Sequence, residues 1–585
     1  MPRPLAGLAA LLLAAATAYW MYLRNAAGLL WGYRPLLFYL AAIAGIVLLG
    51  TRRNDRAADR RRLLSAGSGL LLGLGFPGYL PLPFLLLFAW VPLFIVEREL
   101  RGQPRSFRRL FGHALLAFLL YNVVATFWVF NTGVAAGLIA NVLNALLMTL
   151  PWLAFHWTAR RSPGVAYLAL GAFWISFEYL HHHWDLNWPW LTLGNGFMQF
   201  PALVQWYELT GVFGGTAWII AANWLTYRWL RHPFPRPLPA WPLVAILLPL
   251  GGSLVRYLTY AEPPGETVTV AAVQPNFEPH FEKFNGDYDA QLDTFLRLSR
   301  AALAEGALDY LAFPETSFGR VNERTPLDGP ALRTLAGELA DAPLRHLITG
   351  VDAHYIFAPG EAVSPNVRYQ PRGDGSQLAF EAINGALQFD PATGDFQTYR
   401  KGVFVPGAES FPFAGALFFL QPLMDQLGGT VAGRATQPRR SVFTGAARIA
   451  PVICYESVFG EYFTGYVRQA GAQAAVVVTN DGWWDDTPGF RQHLWLSSLR
   501  AIETRRAIVR SANVGACAFV NQRGDVVSRT AYDRAGYLRG QLKLSDAVTP
   551  YVRYGDLIAR VSLLLAGMLL LTNLARQLRP DAPSD

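Results

Sequence analysis

The first 258 residues consist of long hydrophobic runs separated by short polar loops. The earliest run, at 5–23, carries no charge and is long enough to cross the roughly 30 Å hydrocarbon layer of a bilayer. Further runs lie at 35–50, 63–76, 80–96, 110–130, 133–157, 164–177, 211–226 and 238–255, and a last one lies at 561–574. The pattern predicts ten membrane-spanning helices, nine of them before a long polar region. Small residues at 14–18 leave a cleaved signal peptide as the alternative for the first run.

Positive charge between these runs is distributed unevenly. The odd-numbered loops before the polar region contain only Arg24 and Arg34. Because arginine is retained on the cytoplasmic side of a membrane, the even-numbered loops are expected to face the cytoplasm. The polar region follows nine spans and is therefore expected in the periplasm, with the protein in the inner membrane. The even-numbered loops contain Arg52, Arg53, Arg56, Arg60, Arg61, Arg62, Arg98, Arg101, Arg105, Arg108, Arg109, Arg160, Arg161, Arg228, Arg231 and Arg236.

From about residue 260 to 554 the pattern changes to short apolar strands alternating with amphipathic helices. Predicted strands lie at 267–273, 308–313, 346–351, 382–389, 449–453, 474–479 and 507–511, and predicted helices include 287–305 and 492–505. This alternation is typical of an α/β domain with a substantial core.

Composition is consistent with a membrane protein, since hydrophobic residues make up 52% and charged residues 16% of the chain. The net charge of +9 lies largely in loop arginines, so no basic domain indicates nucleic-acid binding. Two cysteines, Cys454 and Cys517, exclude a disulfide scaffold and a four-cysteine metal site but leave a single disulfide open. The adjacent His181, His182 and His183 are interpreted as a polar loop at the membrane surface, and no metal is expected.

Three predicted strand ends carry reactive side chains. Glu315 follows Pro314, which ends the hydrogen bonding of an apolar strand. Lys401 leads into an apolar segment whose lone carboxylate is Glu409, and Cys454 ends a β-branched strand. Taken singly, each has an ordinary structural explanation: a capping carboxylate, a surface lysine and a buried thiol.

Together, the three side chains suffice for acyl transfer through a thioester. A thiol with an ordinary pKa of roughly 8.5 is mostly protonated at neutral pH, so it needs a base such as Glu315. A nearby ammonium such as Lys401 can stabilise the oxyanion formed when Cys454 attacks a carbonyl. Cys517 is predicted to lie inside a strand and is interpreted as structural.

The motifs around these residues resemble those of a known family. Phe313-Pro314-Glu315, Tyr399-Arg400-Lys401 and Val452-Ile453-Cys454-Tyr455-Glu456 are similar to the Glu–Lys–Cys motifs of the nitrilase superfamily. Within that superfamily, Leu74-Gly75-Phe76-Pro77 and residues 188–194 and 208–215 resemble motifs of its membrane-bound branch, the apolipoprotein N-acyltransferases. Residues 479–483 and Gln492-His493-Leu494 resemble further motifs of that family in the polar region.

The resemblance implies an α-helical membrane bundle joined to an α/β nitrilase-like αββα sandwich. It divides the chain into an additional transmembrane pair with a basic loop (1–62) and a transmembrane bundle (63–258). A periplasmic carbon-nitrogen hydrolase domain (259–555) follows, and a C-terminal transmembrane helix with a short cytoplasmic tail (556–585) ends the chain.

The resemblance also implies an activity. An acyl chain would pass from a membrane phospholipid to Cys454, releasing lysophospholipid, and then to the α-amine of an S-diacylglyceryl cysteine at a lipoprotein N-terminus. Glu315 would be the base and Lys401 the oxyanion stabiliser, with Glu409, Tyr455 and Glu456 supporting the site. No cofactor or nucleic acid is implied, and the protein is expected to be a monomer in the lipid bilayer.

Phe284 and Trp483 are expected to contact substrate. Phe284 stands where the family commonly has tryptophan, so the indole N–H is absent. A membrane-tethered amidase is the nearest alternative activity, and a non-catalytic transporter is the alternative from another class. Two lid loops are predicted at 404–420 and 422–440.

Overall fold

A computed structural model describes residues 2–50, 55–231, 240–284, 288–364, 366–373, 375–413 and 433–578. Much of both predicted lid loops (414–420 and 422–432), together with Arg52, Arg53 and Arg236, lies outside the described residues. The helices before the polar region are α1 (Arg3–Ala26), α2 (Arg34–Leu49), α3 (Arg56–Gly75), α4 (Val91–Leu100), α5 (Ser106–Thr126), α6 (Val134–Leu138), α7 (Asn144–Arg161), α8 (Ala166–His181), α9 (Tyr207–Leu230) and α10 (Ala240–Thr259).

Every predicted hydrophobic run contains helix, but not every run is one continuous helix. The fourth run, 80–96, consists of a short 3-10 turn (Pro83–Leu87) followed by α4, because prolines at 81, 83 and 92 remove backbone donors. Among the described residues, five helical segments are long and apolar enough to cross a membrane: Arg3–Ala26, Ser106–Asn131, Val134–Arg161, Ala240–Thr259 and Leu557–Leu578. The count of ten spans stays a prediction.

An aromatic core holds the bundle together. The indole of Trp90 packs edge-on against Trp152 and Trp174, with ring centres 5.4 and 4.7 Å apart. Such edge-to-face pairs add to the packing energy of the buried rings. The pair α1 and α2 joins the side of this bundle, where Tyr39 of α2 packs edge-on against Phe130.

The polar region forms two β-sheets. One has eight strands in the order β13-β1-β2-β4-β6-β5, with β3 beside β4 and β7 beside β6; the other has five strands in the order β12-β11-β10-β9-β8. The strands are β1 (Thr267–Gln274), β2 (Leu308–Ala312), β3 (Phe318–Asn322), β4 (Leu344–Ile356), β5 (Arg368–Pro371), β6 (Gln377–Phe389), β7 (Phe396–Arg400), β8 (Ile449–Ile453), β9 (Ala474–Thr479), β10 (Ile508–Ala512), β11 (Ala518–Val520), β12 (Val526–Arg529) and β13 (Gly536–Lys543).

The two sheets pack face to face and are covered by helices on both outer sides. Helices Tyr288–Ala304 and Pro330–Leu339 cover the larger sheet. Helices Gly460–Ala470 and Pro488–Thr504 cover the smaller one. The described helices Pro550–Tyr554 and Leu557–Leu578 complete the fold. The predicted combination of a membrane bundle and an αββα sandwich is confirmed.

Helix Pro488–Thr504 also joins the sandwich to the bundle. Its Leu494 faces the smaller sheet, whereas Leu496 and Leu499 belong to the hydrophobic core of the bundle. The Gln492 amide oxygen accepts hydrogen bonds from the indole N–H of Trp190 (2.8 Å) and of Trp128 (3.2 Å). Its NH2 group donates to the carbonyls of residue 77 (2.6 Å) and residue 125 (3.1 Å). Gln492 is therefore one of the buried side chains that join the two units.

Two local predictions need correction. Cys517 does not lie inside a strand, because it immediately precedes β11; it is nevertheless fully buried, and its sulfur accepts a hydrogen bond from the backbone N–H of Ala512. His181 is the last residue of α8 and is buried against Trp184, so the histidine run begins inside a helix rather than in a polar loop.

Candidate active site

Cys454 lies on a tight turn at the end of a fully buried strand. Strand β8 delivers the chain to Cys454, whose φ of 47° is in the left-handed region that L-residues rarely adopt. A 3-10 turn follows at once, and the Ser457 hydroxyl donates to the carbonyl of Cys454 at 2.7 Å. The thiol-bearing residue is half-buried. A strained turn of this kind can expose a reactive side chain at the end of a β-strand.

Glu315 and Lys401 meet beside this turn. The Lys401 ammonium donates to Oε1 of Glu315 at 3.0 Å and to the two carboxylate oxygens of Glu409 at 2.9 and 2.8 Å. Asn384 of β6 donates to both carboxylates, at 2.9 Å to Glu315 and 2.7 Å to Glu409. A Cβ on Gly350 would lie 2.5 Å from the Cα of Glu315, so only glycine lets β4 approach this carboxylate.

The electrostatics of the cluster favour the protonated form of the Cys454 thiol and the ionised form of the Glu315 carboxyl. Burial disfavours the charge on Glu315, but the Lys401 ammonium and the Asn384 hydrogen bond outweigh it and lower the pKa of the carboxyl. Burial, reinforced by the charge of Glu315, raises the pKa of the Cys454 thiol, and Lys401 offsets this only in part. For Lys401, the attraction of Glu315 and Glu409 exceeds the effect of burial and raises the pKa of its ammonium.

Glu456 is buried on the other side of the Cys454 turn, where its carboxylate ties two strand ends together. Its Oε1 accepts from the Gly402 N–H (2.7 Å) and the Tyr399 hydroxyl (2.8 Å), next to Lys401. Its Oε2 accepts from the N–H of Ile453 (2.8 Å), next to Cys454. The Tyr462 hydroxyl also donates to Oε1, at 2.8 Å, and the Tyr466 hydroxyl to Oε2, at 3.0 Å. Burial raises the pKa of this carboxyl.

Tyr455 points away from the ionised cluster. Its hydroxyl donates at 2.9 Å to the carbonyl of Asn187, in the segment that follows α8 of the membrane bundle. Its ring packs edge-on against Phe459 at 5.2 Å. Tyr455 therefore connects the Cys454 turn to the membrane bundle.

The two residues predicted to contact substrate stack on each other at the edge of the site. The rings of Phe284 and Trp483 are 6.1 Å apart with an angle of 20° between their planes, and 48% of Phe284 is exposed. Lys283 is buried beneath them and donates to the carbonyl of Glu315 (2.7 Å) and the hydroxyl of Thr316 (2.8 Å). Burial lowers the pKa of Lys283 to about 8.

Sequence reasoning missed several groups that build this site. It did not single out Asn384, although an amide within a mostly apolar predicted strand was a usable signal. His493 and Asp481 appeared only inside motifs. His493 Nδ1 lies 2.8 Å from an Asp481 oxygen, and its Nε2 lies 3.0 Å from the Ser457 hydroxyl and 3.3 Å from the carbonyl of Cys454. Buried Arg510 pairs with Asp481 at 3.0 Å. Arg510, Asp481 and His493 thus form a polar network that supports the Cys454 turn.

The described residues contain no group of three or more His, Cys, Asp or Glu side chains arranged to hold a metal ion. The site itself brings together the Cys454 thiol, the Glu315 carboxylate and the Lys401 ammonium.

Comparison with known proteins gives matches for both parts of the chain. The model of the apolipoprotein N-acyltransferase N-terminal domain matches residues 68–225, and that of the carbon-nitrogen hydrolase family matches residues 269–549. Proteins named apolipoprotein N-acyltransferase match over nearly the whole chain. The protein from Azotobacter vinelandii is 30% identical over 546 residues, covering 88% of this chain and 96% of that protein. The protein from Chlorobaculum tepidum is 29% identical over 529 residues, covering 87% and 96%.

A helical membrane bundle carrying an αββα domain of the carbon-nitrogen hydrolase type, with a buried Glu–Lys pair beside a cysteine turn, defines a membrane-bound acyltransferase of the nitrilase superfamily. The chain belongs to the apolipoprotein N-acyltransferase family.

Proposed function

We propose that this enzyme transfers a fatty acyl chain from a membrane phospholipid, through a thioester on Cys454, to the α-amine of the N-terminal S-diacylglyceryl cysteine of a lipoprotein. This is the final step of lipoprotein maturation. The observation that carries the mechanism is the buried contact of 3.0 Å between Lys401 and Glu315 beside the Cys454 turn. The names of the relatives support the choice of lipoprotein as acceptor.

In the first half-reaction, Glu315 takes the proton of the Cys454 thiol as the sulfur attacks the ester carbonyl carbon of the phospholipid. A preformed thiolate is not the starting species, because the pKa of the thiol is raised whereas that of Glu315 is lowered. The carbonyl π electrons move onto oxygen, and the Lys401 ammonium stabilises the resulting oxyanion. Collapse breaks the ester C–O bond, and the departing lysophospholipid oxygen takes the proton from Glu315.

In the second half-reaction, the lipoprotein amine attacks the thioester carbon. Glu315 accepts a proton from the amine, and the tetrahedral intermediate again places its negative charge near Lys401. Collapse breaks the C–S bond and forms the amide, and Glu315 returns the proton to the Cys454 sulfur. Glu409 keeps the ammonium of Lys401 in place, while Tyr455 and Glu456 hold the turn that carries the nucleophile.

We propose that residues 1–62 form an added transmembrane pair, 63–258 the bundle, 259–555 a periplasmic catalytic domain and 556–585 the last span and a cytoplasmic tail, in a monomer of the inner membrane. Phe284 and Trp483 form the wall against which an acyl chain packs. Protease added outside intact spheroplasts should then cleave the catalytic domain, whereas cleavage only in inside-out vesicles would contradict this orientation.

The central experiment uses Cys454→Ala in the purified full-length protein. N-acylation of a diacylglyceryl lipopeptide should be abolished, while the thermal unfolding temperature stays within a few degrees of wild type. Cys517→Ala is the matched control and should remain active. Incubation of the wild type with phospholipid alone should leave one acyl mass on Cys454. Acylation elsewhere, or release of free fatty acid without amide formation, would instead favour a hydrolase.

A further inference from the structure

The end of the bundle farthest from the catalytic domain contains a cavity that the proposed reaction does not use. It has a volume of about 500 Å³ and lies between the start of α5, the end of α7 and the C-terminal helix. Phe107, Leu153 and Trp157 form apolar walls, Arg160 and Arg161 lie at the rim, and Gln577 closes one side. Helix Leu557–Leu578 begins beside the catalytic domain, and its 22 residues span about 33 Å, so the cavity lies roughly one bilayer thickness away.

The rim of the cavity carries positive charge that the described protein does not neutralise. The Arg160 guanidinium lies 5.6 Å from the ring centre of Phe107, and that of Arg161 lies 5.3 Å from the ring centre of Trp157. Arg160 also contacts the Ser106 hydroxyl at 3.5 Å. Within the described ranges, neither arginine forms an ion pair with a carboxylate. Two adjacent cations over apolar walls are suited to an anion that carries hydrocarbon.

A buried chain of polar groups supports this rim. The Ser106 hydroxyl lies 3.0 Å from Nε2 of His156, and Nδ1 of His156 lies 2.7 Å from Glu97. Arg101 donates to both oxygens of Glu97, at 3.1 and 2.6 Å. The side chains of His156 and Glu97 are fully buried. Burying ionisable groups is costly unless they are paired, and here His156 and Glu97 contact each other. The Ser106 hydroxyl links this buried chain to Arg160, which contacts it at 3.5 Å.

We propose that this cavity binds the headgroup of an anionic phospholipid from the leaflet opposite the catalytic domain. The lipid phosphate would accept hydrogen bonds from Arg160 and Arg161, and its acyl chains would continue along Leu153 and Trp157 between α7 and the C-terminal helix. A zwitterionic lipid is less suitable because its ammonium would approach two guanidinium groups. A soluble phosphate lacks the hydrocarbon that the apolar walls would cover. The bound lipid is distinct from the acyl donor, because Cys454 lies at the other end of the protein.

The test uses the delipidated full-length protein in a non-ionic detergent. Its thermal unfolding temperature is measured while phosphatidylglycerol, phosphatidylcholine with the same acyl chains, or glycerol phosphate is added. Phosphatidylglycerol should raise the unfolding temperature in a saturable way and by more than phosphatidylcholine does, and glycerol phosphate should produce no saturable rise. Equal stabilisation by the two lipids would overturn the proposal, and an equal effect of glycerol phosphate would indicate a free-phosphate site instead.

Two double variants show whether phosphatidylglycerol stabilises the protein by binding at this cavity. Arg160→Gln/Arg161→Gln should weaken the apparent affinity for phosphatidylglycerol by at least about tenfold, because each arginine near a lipid surface contributes appreciably to anionic binding. Arg228→Gln/Arg231→Gln is the matched control, since these two arginines also stack on aromatic rings, Trp224 and Tyr227, near the end of α9. The same loss in both double variants would overturn the proposal. If the first variant does not fold, native mass spectrometry of the wild type should still retain phosphatidylglycerol in preference to phosphatidylcholine, and retention of both alike would also overturn it.

Discussion

Two buried glutamates, Glu315 and Glu456, lie on either side of the Cys454 turn, and they differ in the charge of the groups that contact them. Glu315 faces an ammonium at 3.0 Å, and the pKa of its carboxyl is lowered although it is buried. Glu456 is bound by hydroxyl and backbone N–H donors, all of them neutral, and burial raises the pKa of its carboxyl. Burial alone therefore does not decide whether the pKa of a carboxyl group is raised or lowered. A neighbouring cation keeps Glu315 ionised, whereas Glu456 has only neutral donors and connects two strand ends.

The largest expected effect is on the Glu315 side. Glu315→Gln removes the proton acceptor but keeps the size of the side chain, so the rate of thioester formation should fall by about 10³-fold. The measurement is single-turnover acylation of Cys454 by phospholipid. Glu323→Gln is the matched control, because Glu323 also pairs with a cation, Arg400, one residue before Lys401. Its rate should stay within about threefold of wild type, and a comparable loss in both variants would contradict the special role of Glu315.

The next effect concerns stability on the Glu456 side. Glu456→Gln turns an amide NH2 toward groups that are themselves donors, which leaves buried hydrogen bonds unmade. Unfolding of the catalytic domain should become easier by about 2–3 kcal/mol, seen as a lower thermal unfolding temperature. The same substitution at the partly exposed Glu361, which accepts from Arg324, should lower the temperature less. If Glu456→Gln retained wild-type stability but lost all activity, Glu456 would be part of the chemistry rather than a brace.

A smaller effect is expected on the pH dependence of activity, because a second buried cation lies beside Glu315. Lys283 donates to the backbone carbonyl of Glu315, and burial lowers its pKa to about 8. As pH rises through this value the side chain loses its charge, and with it the support for negative charge on the developing thiolate. Activity should therefore decline above pH 8, by about tenfold at pH 9. In Lys283→Arg, which keeps its charge, this alkaline decline should move to higher pH.

The control for that prediction is Lys283→Gln, which carries no charge at any pH. Its activity should be low at pH 7 and show no decline centred at pH 8. An unchanged decline in both variants would assign the titration to another group.

The smallest expected effect is at the edge of the site. Phe284 already stacks on Trp483, so Phe284→Trp should keep this contact and change kcat/KM for phospholipid by no more than about threefold. Phe284→Ala removes the stacked ring and should raise KM more than it lowers kcat. If Phe284→Trp raised activity strongly, the missing indole N–H would be a limiting feature of this chain.

Some residues of the site could be predicted because the sequence next to them is distinctive, and others could not. Glu315, Lys401 and Cys454 stand at strand ends beside motifs, so sequence could single them out, and Glu409 followed from the composition of its segment. Asn384 and Lys283 were harder, because a buried amide and a lysine acquire meaning only from the groups that face them. The same holds for Glu97 and His156, whose contact joins positions 59 residues apart.

Sequence by itself determined the layout of this protein: hydrophobic runs before an alternating α/β region, arginines concentrated in alternate loops, and three strand ends that carry Glu315, Lys401 and Cys454. These features are local, and hydrophobic periodicity and charge record them directly. Tertiary structure alone decided the left-handed turn at Cys454, the ion pair between residues 86 positions apart, the contrast between Glu315 and Glu456, and the arginine-rimmed cavity. Each depends on how separate strands or helices pack, because a pKa and a cavity are properties of what surrounds a side chain in space.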